Sequence, residues 1–336
     1  RGGTILGLKA YPSVAELPAD IDYAIFNIPA RSCLAALEEC ASKGVKLAHI
    51  YSAGFSEAGK TGERLESALV KLSHERGIRL LGPNAMGLYF PAQNLTFDRN
   101  FPRTPGAIAF VSQSGSCAMR LVRQGALRGL RFSQVVSYGN AADINEVELA
   151  RHVSQDRDSR LLAFYIERAR DERGLLEALR EAAATKPVLI LAGGTTSGGR
   201  RAALLHTGRG ESLSRDRLRS IPGVTVAESL EDLIDLLVAF SHPLPPGARR
   251  MAVVGRGAGL GVLAADGLEA RGFPVPPLSA SLRRAISRRF NAPGAMTVNP
   301  IEPPGGASTW APFLDGVLPL LDAAAEVDLI LLNLSP

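Results

Sequence analysis

The sequence predicts an α/β protein built from parallel sheets in three successive series. Two observations predict it: short apolar runs alternate with helix-patterned stretches from Tyr23 onward, and the alternation restarts after each of two proline-bearing linkers. A third is that each run ends in a small or polar cluster, as strands do where an open sheet gathers its ligand loops.

In the first series Tyr23 to Pro29 reads as a strand, Leu34 to Lys43 as a helix closed by Gly44, and Leu47 to Gly54 as a strand. Gly62 to Arg76 then reads as a helix closed by Gly77, and Ile78 to Asn84 as a strand. Parallel strands place the clusters Asn27-Ile28-Pro29, Ser52-Ala53-Gly54 and Gly82-Pro83-Asn84 along one edge, as one crevice. Turn chemistry alone also accounts for Gly, Pro and Asn at these points. A mononucleotide-binding half normally opens with a strand and a glycine-rich phosphate turn, so this series is expected to lack its first unit.

Residues 91–105, with three prolines and no clear period, are expected to link to the second series. There the strands are Ala107 to Val111, Gln134 to Asn140, Leu161 to Glu167 and Pro187 to Ala192. Helices are expected at Ser116 to Leu127, Ile144 to Val153, Arg173 to Ala184 and Leu230 to Phe240. A second linker, His242 to Gly247, precedes a third series of a strand at Met251 to Gly255, a helix from about Leu260 to Arg271, and a run at Val327 to Leu332. It looks incomplete at its end. The expected domains are 1–103, 104–246 and 247–336.

Composition bounds the function. Of 336 residues 46% are hydrophobic and 21% charged, as in an ordinary globular protein, and no apolar run is long enough to span a bilayer. The start lacks a signal-peptide pattern, so a cytoplasmic protein without membrane contact is expected. Cys33, Cys40 and Cys117 have no metal-ligand spacing and are expected to be reduced and buried; no histidine has such spacing either, so no metal site is predicted. The net charge of +5 is spread along the chain, with helical spacing in Ser281 to Arg289, and aromatics are only 6%. That disfavours nucleic acid and leaves an anionic small ligand.

The stretch richest in chemistry is Leu191 to Gly210, glycine-rich and basic, with His206 on the loop expected to leave the strand at Pro187 to Ala192. Its glycines let a backbone approach an anion, and its imidazole is a nucleophile near neutral pH. A solvated surface loop fits the same residues. Glu167, at a neighbouring strand end, is placed to orient that imidazole, although pairing with Arg168 or Arg170 is the commoner fate of a glutamate. The turn at Ser112, Gln113, Ser114, Gly115 and Ser116 opens a helix, and its backbone N–H groups form a phosphate seat. Ser114 does not fit a hydrolase elbow, because serines 112 and 116 replace both glycines of G-x-S-x-G. In the third series Gly259, Gly261 and Ala264 meet a dinucleotide fingerprint only loosely, and no acidic residue follows at the ribose distance.

The ordered motifs AYPSVAELP, NIPA, SAGFSE, GPNAMG, FVSQSGS, VSYGNAADIN, YIE, KPVLILAGG, HTG and NPIE together resemble the acyl-CoA synthetases (NDP-forming), the superfamily of ADP-forming acetate–CoA ligase and succinyl-CoA synthetase. The resemblance spans essentially the whole chain. It implies a Rossmann-like CoA-binding domain followed by two flavodoxin-like domains of the succinyl-CoA-synthetase type. It implies exchange among acyl-CoA, phosphate and a nucleoside diphosphate through an acyl phosphate and a phosphohistidine, yielding a small carboxylic acid, CoA and ATP. His206 falls on the phosphohistidine and Glu167 on its glutamate partner. Ser112 to Ser116, with Gly193, Gly194, Thr207 and Gly208, would hold phosphate, and the three loops Asn27 to Pro29, Ser52 to Gly54 and Gly82 to Asn84 would line the path of CoA. ADP, ATP and Mg would enter only through an ATP-grasp domain or subunit, which is not in this chain, so a homo- or hetero-oligomer is implied. The sequence departs from the family after HTG, at Arg209 to Leu213, at Leu191 in place of a lysine, and at Glu302 in place of an aspartate.

Overall fold

A computed structural model describes residues 3–18, 20–207, 210–243, 247–290, 297–303 and 310–333. They fall into two compact units, Arg1–Pro243 and Leu244–Pro336. The first unit opens with a hairpin of β1 (Gly3–Ile5) and β2 (Leu8–Ala10). Then come β3 (Tyr23–Phe26), α1 (Cys33–Ser42), β4 (Leu47–Ile50), α2 (Lys60–Glu75) and β5 (Arg79–Leu81). These strands form a parallel sheet in the order β3-β4-β5, so the expected βαβαβ series is present. The helices hold it from one side through Leu37, Cys40 and Leu69, packed on Ala48, Ile50 and Leu80. Cys33 and Cys40 are buried free thiols, while Cys117 is only half-buried.

One strand was not legible. β6 (Gly87–Tyr89) follows the third cluster but leaves the first sheet and pairs antiparallel with β8 (Phe132–Ser137) of the second. Around it run β7 (Ile108–Ser112), α3 (Gly115–Leu127), α4 (Glu146–Gln155), β9 (Leu161–Ile166), β10 (Arg168–Ala169), α5 (Glu172–Ala183), β11 (Val188–Ala192), α6 (Ser197–Thr207), β12 (Glu211–Ser212), α7 (Arg215–Arg219), β13 (Val224–Ala227) and α8 (Leu230–Ser241). The six-stranded sheet has the order β13-β11-β9-β7-β8-β6, parallel except for β6. β7 and β11 are buried at every position, as a sheet covered by helices on both faces requires. Side-chain caps fix where helices begin: Asn145 Oδ1 accepts from the Val147 and Glu148 amides, and Asp171 from Gly174. Three-residue β6 was hidden because its few residues sit between turn clusters, with no room for a period.

The second unit contains β14 (Met251–Gly255), α9 (Ala258–Glu269), α10 (Ala280–Phe290), α11 (Trp310–Asp322) and β15 (Leu329–Asn333), with β14 and β15 parallel. The basic stretch at 281–289 is α10, whose Leu282 and Ile286 are buried while Arg284, Arg288 and Arg289 are exposed, an amphipathic helix. Among the described residues no helix is long and apolar enough to cross a membrane.

Candidate functional site

Three loop ends of the first sheet and the start of α3 enclose an open crevice of about 530 Å³. Of the residues singled out in the sequence, Asn27, Ile28, Pro29, Ser52, Ala53, Asn84, Ser114, Gly115, Ser116 and His206 line it. The convergence follows from parallel strand order, and side chains then lock it. Ser52 Oγ accepts from the Ile28 amide at 3.1 Å and its one O–H is within reach of the carbonyls of Phe26 and Ile28, so two of the three loops are tied together. The third is tied through the Asn84 amide, which donates to the Ser52 carbonyl at 3.0 Å.

His206 does not stand on a loop. It lies in the last turn of α6, which starts five residues after β11 ends, so the strand-leaving segment is mostly helical. Gly198 and Gly199 hid this helix, because each glycine costs about 1 kcal/mol against alanine in a helix. Two things offset that cost: burial of Ala203 and Thr207 against the fold, and a local bond in which Thr196 Oγ1 accepts from the Gly199 amide at 3.1 Å.

The histidine's Nδ1 lies 2.9 and 3.1 Å from the two carboxylate oxygens of Glu167. A carboxylate only accepts, so Nδ1 carries the proton, and the neutral ring keeps its lone pair on Nε2. The Glu167 side chain is 9% exposed and that of His206 46%, a buried anion supporting a half-open base. The hydrogen bond to Glu167 raises the His206 pKa above its usual value; burial opposes this, and the charges of Glu167 and Glu57 add to it.

Glu167 is itself held. Tyr165, two residues earlier on the same strand face, donates its hydroxyl to Oε1 at 3.0 Å. Burial, reinforced by the carboxylate's charge, pushes the Tyr165 phenol well above its ordinary range, so it stays a donor. Gln113 Oε1 accepts from the amides of Glu167 and Arg168 at 2.8 and 3.0 Å, and its Nε2 donates to the Arg168 carbonyl. Gly193 allows the close fit, since a Cβ there would meet Glu167 Cγ at 3.0 Å and the Tyr165 hydroxyl at 3.1 Å.

Several expected phosphate contacts therefore have other partners. The Ser112 hydroxyl is buried and donates to the Ser114 carbonyl at 2.7 Å, Thr207 Oγ1 donates to the Ala203 carbonyl, and Gln113 braces Glu167. Gly193 and Gly194 pack against Glu167 and Ala203. Gly54, Gly82 and Pro83, expected to line the path of CoA, are not among the residues lining the crevice: the Gly54 amide donates to Glu57, and the Gly82 and Pro83 carbonyls accept from Ala142 and Asn140. Gly208 lies outside the described residues. At the seat itself Ser114 caps α3, its Oγ accepting from the Cys117 amide and lying 3.0 Å from Ser116 Oγ.

Sequence reasoning did not foresee the network of Glu57, Glu66, Asn140 and Arg170, in which Arg170 pairs elsewhere than with Glu167. Glu57 accepts from the Gly54 and Phe55 amides and from Asn140 Nδ2, while Arg170 donates to the Asn140 carbonyl and to Glu66. This network joins the loop Ser52 to Glu57 to the loop after β8. Its members come from four sequence segments, so no local spacing announces it. His49, expected inside a strand, is in the core: Nε2 donates to the Ala85 carbonyl, Tyr23 donates to Nδ1, and burial lowers its pKa. Among the described residues no group of three or more His, Cys, Asp or Glu could hold a metal.

Comparison with known proteins agrees with this architecture. A CoA binding domain model matches residues 1–91 and a succinyl-CoA ligase like flavodoxin domain matches residues 105–240. The chain is 34% identical over 304 residues to the alpha subunit of acetate–CoA ligase [ADP-forming] II of Pyrococcus furiosus, covering 90% of this chain and 66% of that subunit. It is 33% identical to acetate–CoA ligase [ADP-forming] I of Archaeoglobus fulgidus, covering 99% of this chain but 48% of that enzyme. The chain thus spans about half to two thirds of the length of these relatives. Among solved structures, the dinucleotide-forming acetyl-coenzyme A synthetase 1 of Ca. Korarchaeum cryptofilum, in complex with phosphate and ADP, superposes with a TM-score of 0.75 at 31% identity, over 99% of this chain and 72% of that one. With a CoA-binding sheet, a flavodoxin-like sheet and these relatives, the chain belongs to the acyl-CoA synthetases (NDP-forming), the superfamily of ADP-forming acetate–CoA ligase.

Proposed function

We propose that the chain carries the CoA-binding and phosphohistidine half of an NDP-forming acid–CoA ligase, in three domains at 1–103, 104–246 and 247–336. The observation that carries the reading is the His206–Glu167 pair facing a crevice shared by three loop ends and the start of α3. In the first step an oxygen of inorganic phosphate, seated at the N–H groups of Ser114, Gly115 and Ser116, attacks the thioester carbonyl. The C–S bond breaks, CoA leaves as the thiol and an acyl phosphate forms. In the second, His206 Nε2 attacks phosphorus; the P–O bond to the acyl group breaks and the carboxylate departs. Glu167 holds the Nδ1 proton throughout and stabilises the ring as charge develops on it. Phosphoryl transfer depends chiefly on positioning and electrostatics, which a helix start and a braced imidazole supply.

Phosphoryl transfer from His206 to ADP would take place on an ATP-grasp domain or partner subunit that brings the nucleotide and Mg, in a cytoplasmic homo- or hetero-oligomer. The Pyrococcus furiosus relative is an alpha subunit, which supports that division of labour. Incubation with acetyl-CoA and labelled phosphate is expected to place an acid-labile, base-stable label on His206, and His206→Asn is expected to lose it while still binding CoA. A label that survives in His206→Asn, or none in the wild type assembled with a verified ATP-grasp partner, overturns the proposal. The latter outcome would make the chain a non-catalytic CoA-binding relative.

A further inference from the structure

Polar groups line the crevice at Ser114 to Ser116 and His206, and the side chains of Ile28, Tyr51 and Met86 line it as well. We infer that Met86 is the residue that sets how large an acyl group the site accepts. The inference rests on the reading of the crevice as an acyl-CoA site.

The position follows from the chemistry. The thioester carbon must lie within bonding reach of a phosphate held at Ser114 to Ser116, so the acyl tail begins beside that seat. Met86 is the side chain in contact there: a Cβ added to Gly115 would fall 2.1 Å from Met86 Cγ. The backbone beneath it is fixed. The Ala85 carbonyl accepts from His49 Nε2 at 2.8 Å, the Ala85 amide donates to the Ile50 carbonyl at 3.3 Å, and the Met86 amide donates to Ser137 Oγ at 3.2 Å. Gly87 lies so close to the His49 ring that a Cβ would come within 2.2 Å of it. What remains free is an unbranched, half-buried thioether with three rotatable bonds, which fills irregular space and yields to it. Met86 is therefore the side chain that an acyl tail leaving the seat meets first.

The test is equilibrium binding of CoA, acetyl-CoA and phenylacetyl-CoA to the full chain, in the wild type and in Met86→Ala, Met86→Leu and Met86→Phe. Met86→Ala is expected to raise the preference for phenylacetyl-CoA over acetyl-CoA by about tenfold or more, tenfold being the low end of what one methylene is worth in an apolar pocket, with CoA affinity kept within about twofold. Met86→Phe is expected to shift the ratio the other way, and the volume-conserving Met86→Leu to leave it near the wild-type value. An unchanged ratio in Met86→Ala and Met86→Phe, with CoA still bound, overturns the role of Met86 alone. Failure of the wild type to bind CoA overturns the functional reading beneath it. Should Met86→Ala not fold, the phenylalanine and leucine variants decide the question.

Discussion

Two strand–turn–helix units in this molecule share a pattern and differ in what reaches the helix start. In the first, β7 turns through Ser112 to Ser114 into α3, whose first turn opens on the crevice with His206. In the second, β14 turns through Arg256 and Gly257 into α9, and there the Glu302 carboxylate accepts from the Gly257 amide at 3.0 Å. Asn299 fixes that arrangement, its Nδ2 donating to the carbonyls of Met251 and Pro276 and its Oδ1 accepting from the Val253 amide. Both helix starts attract negative charge. At α3 the chain uses a neutral serine cap, leaving the dipole for a ligand, whereas at α9 the chain provides an anion of its own. A glycine-rich turn makes an anion seat possible; which carboxylate the fold brings to it decides whether the seat is open.

The largest expected effect is on the pair that makes the first seat useful. Glu167→Gln removes the charge that orients His206, and labelling of the histidine is expected to fall on the order of 10²-fold. Its pH profile carries a second signature. Attack needs the neutral imidazole, so labelling rises as pH climbs through the raised His206 pKa, and the substitution should move that acidic limb to lower pH. A slower variant with an unmoved limb would mean that Glu167 acts only by packing.

Next comes Gly115→Ala. Alanine favours a helix by about 1 kcal/mol, but overpacking costs roughly 1–3 kcal/mol, and the new methyl would stand 2.1 Å from Met86 Cγ. A Tm lower by a few degrees is expected on thermal melting; a rise would show that Met86 swings away freely. The smallest effect is expected at the other helix start. Glu302→Ala should lower stability by about 0.3–1 kcal/mol and make the Gly257 amide resonance respond to added phosphate, a response not expected in the wild type. A wild-type Gly257 that responds equally would erase the contrast between the two units.

Much of this was legible in the sequence because it depends on local pattern. Buried strands such as Val188–Ala192 appear as unbroken apolar runs, helices such as Glu172–Ala183 as a 3.6-residue period, and the Ser-Gln-Ser-Gly turn as a helix start. Parallel order then predicts that Asn27, Ser52 and Asn84 share an edge, and the structure brings them to one crevice. The helix carrying His206 was not legible, since Gly198 and Gly199 argue against it locally and the packing of Ala203 and Thr207 overrules them. Nor was the true task of Gln113, which reads as a turn residue and in fact braces the strand end bearing Glu167, 54 positions away.

The sequence by itself determined the α/β class and the order of the strands' loops, because each follows from periodicity, and it singled out His206 and Glu167 as a candidate pair. Only the tertiary structure decided that β6 crosses to the second sheet, that Glu57 and Asn140 tie one loop to another, and that Met86 stands against Gly115. Those depend on which side chains meet across distant segments, and no spacing along the chain encodes a distance in space.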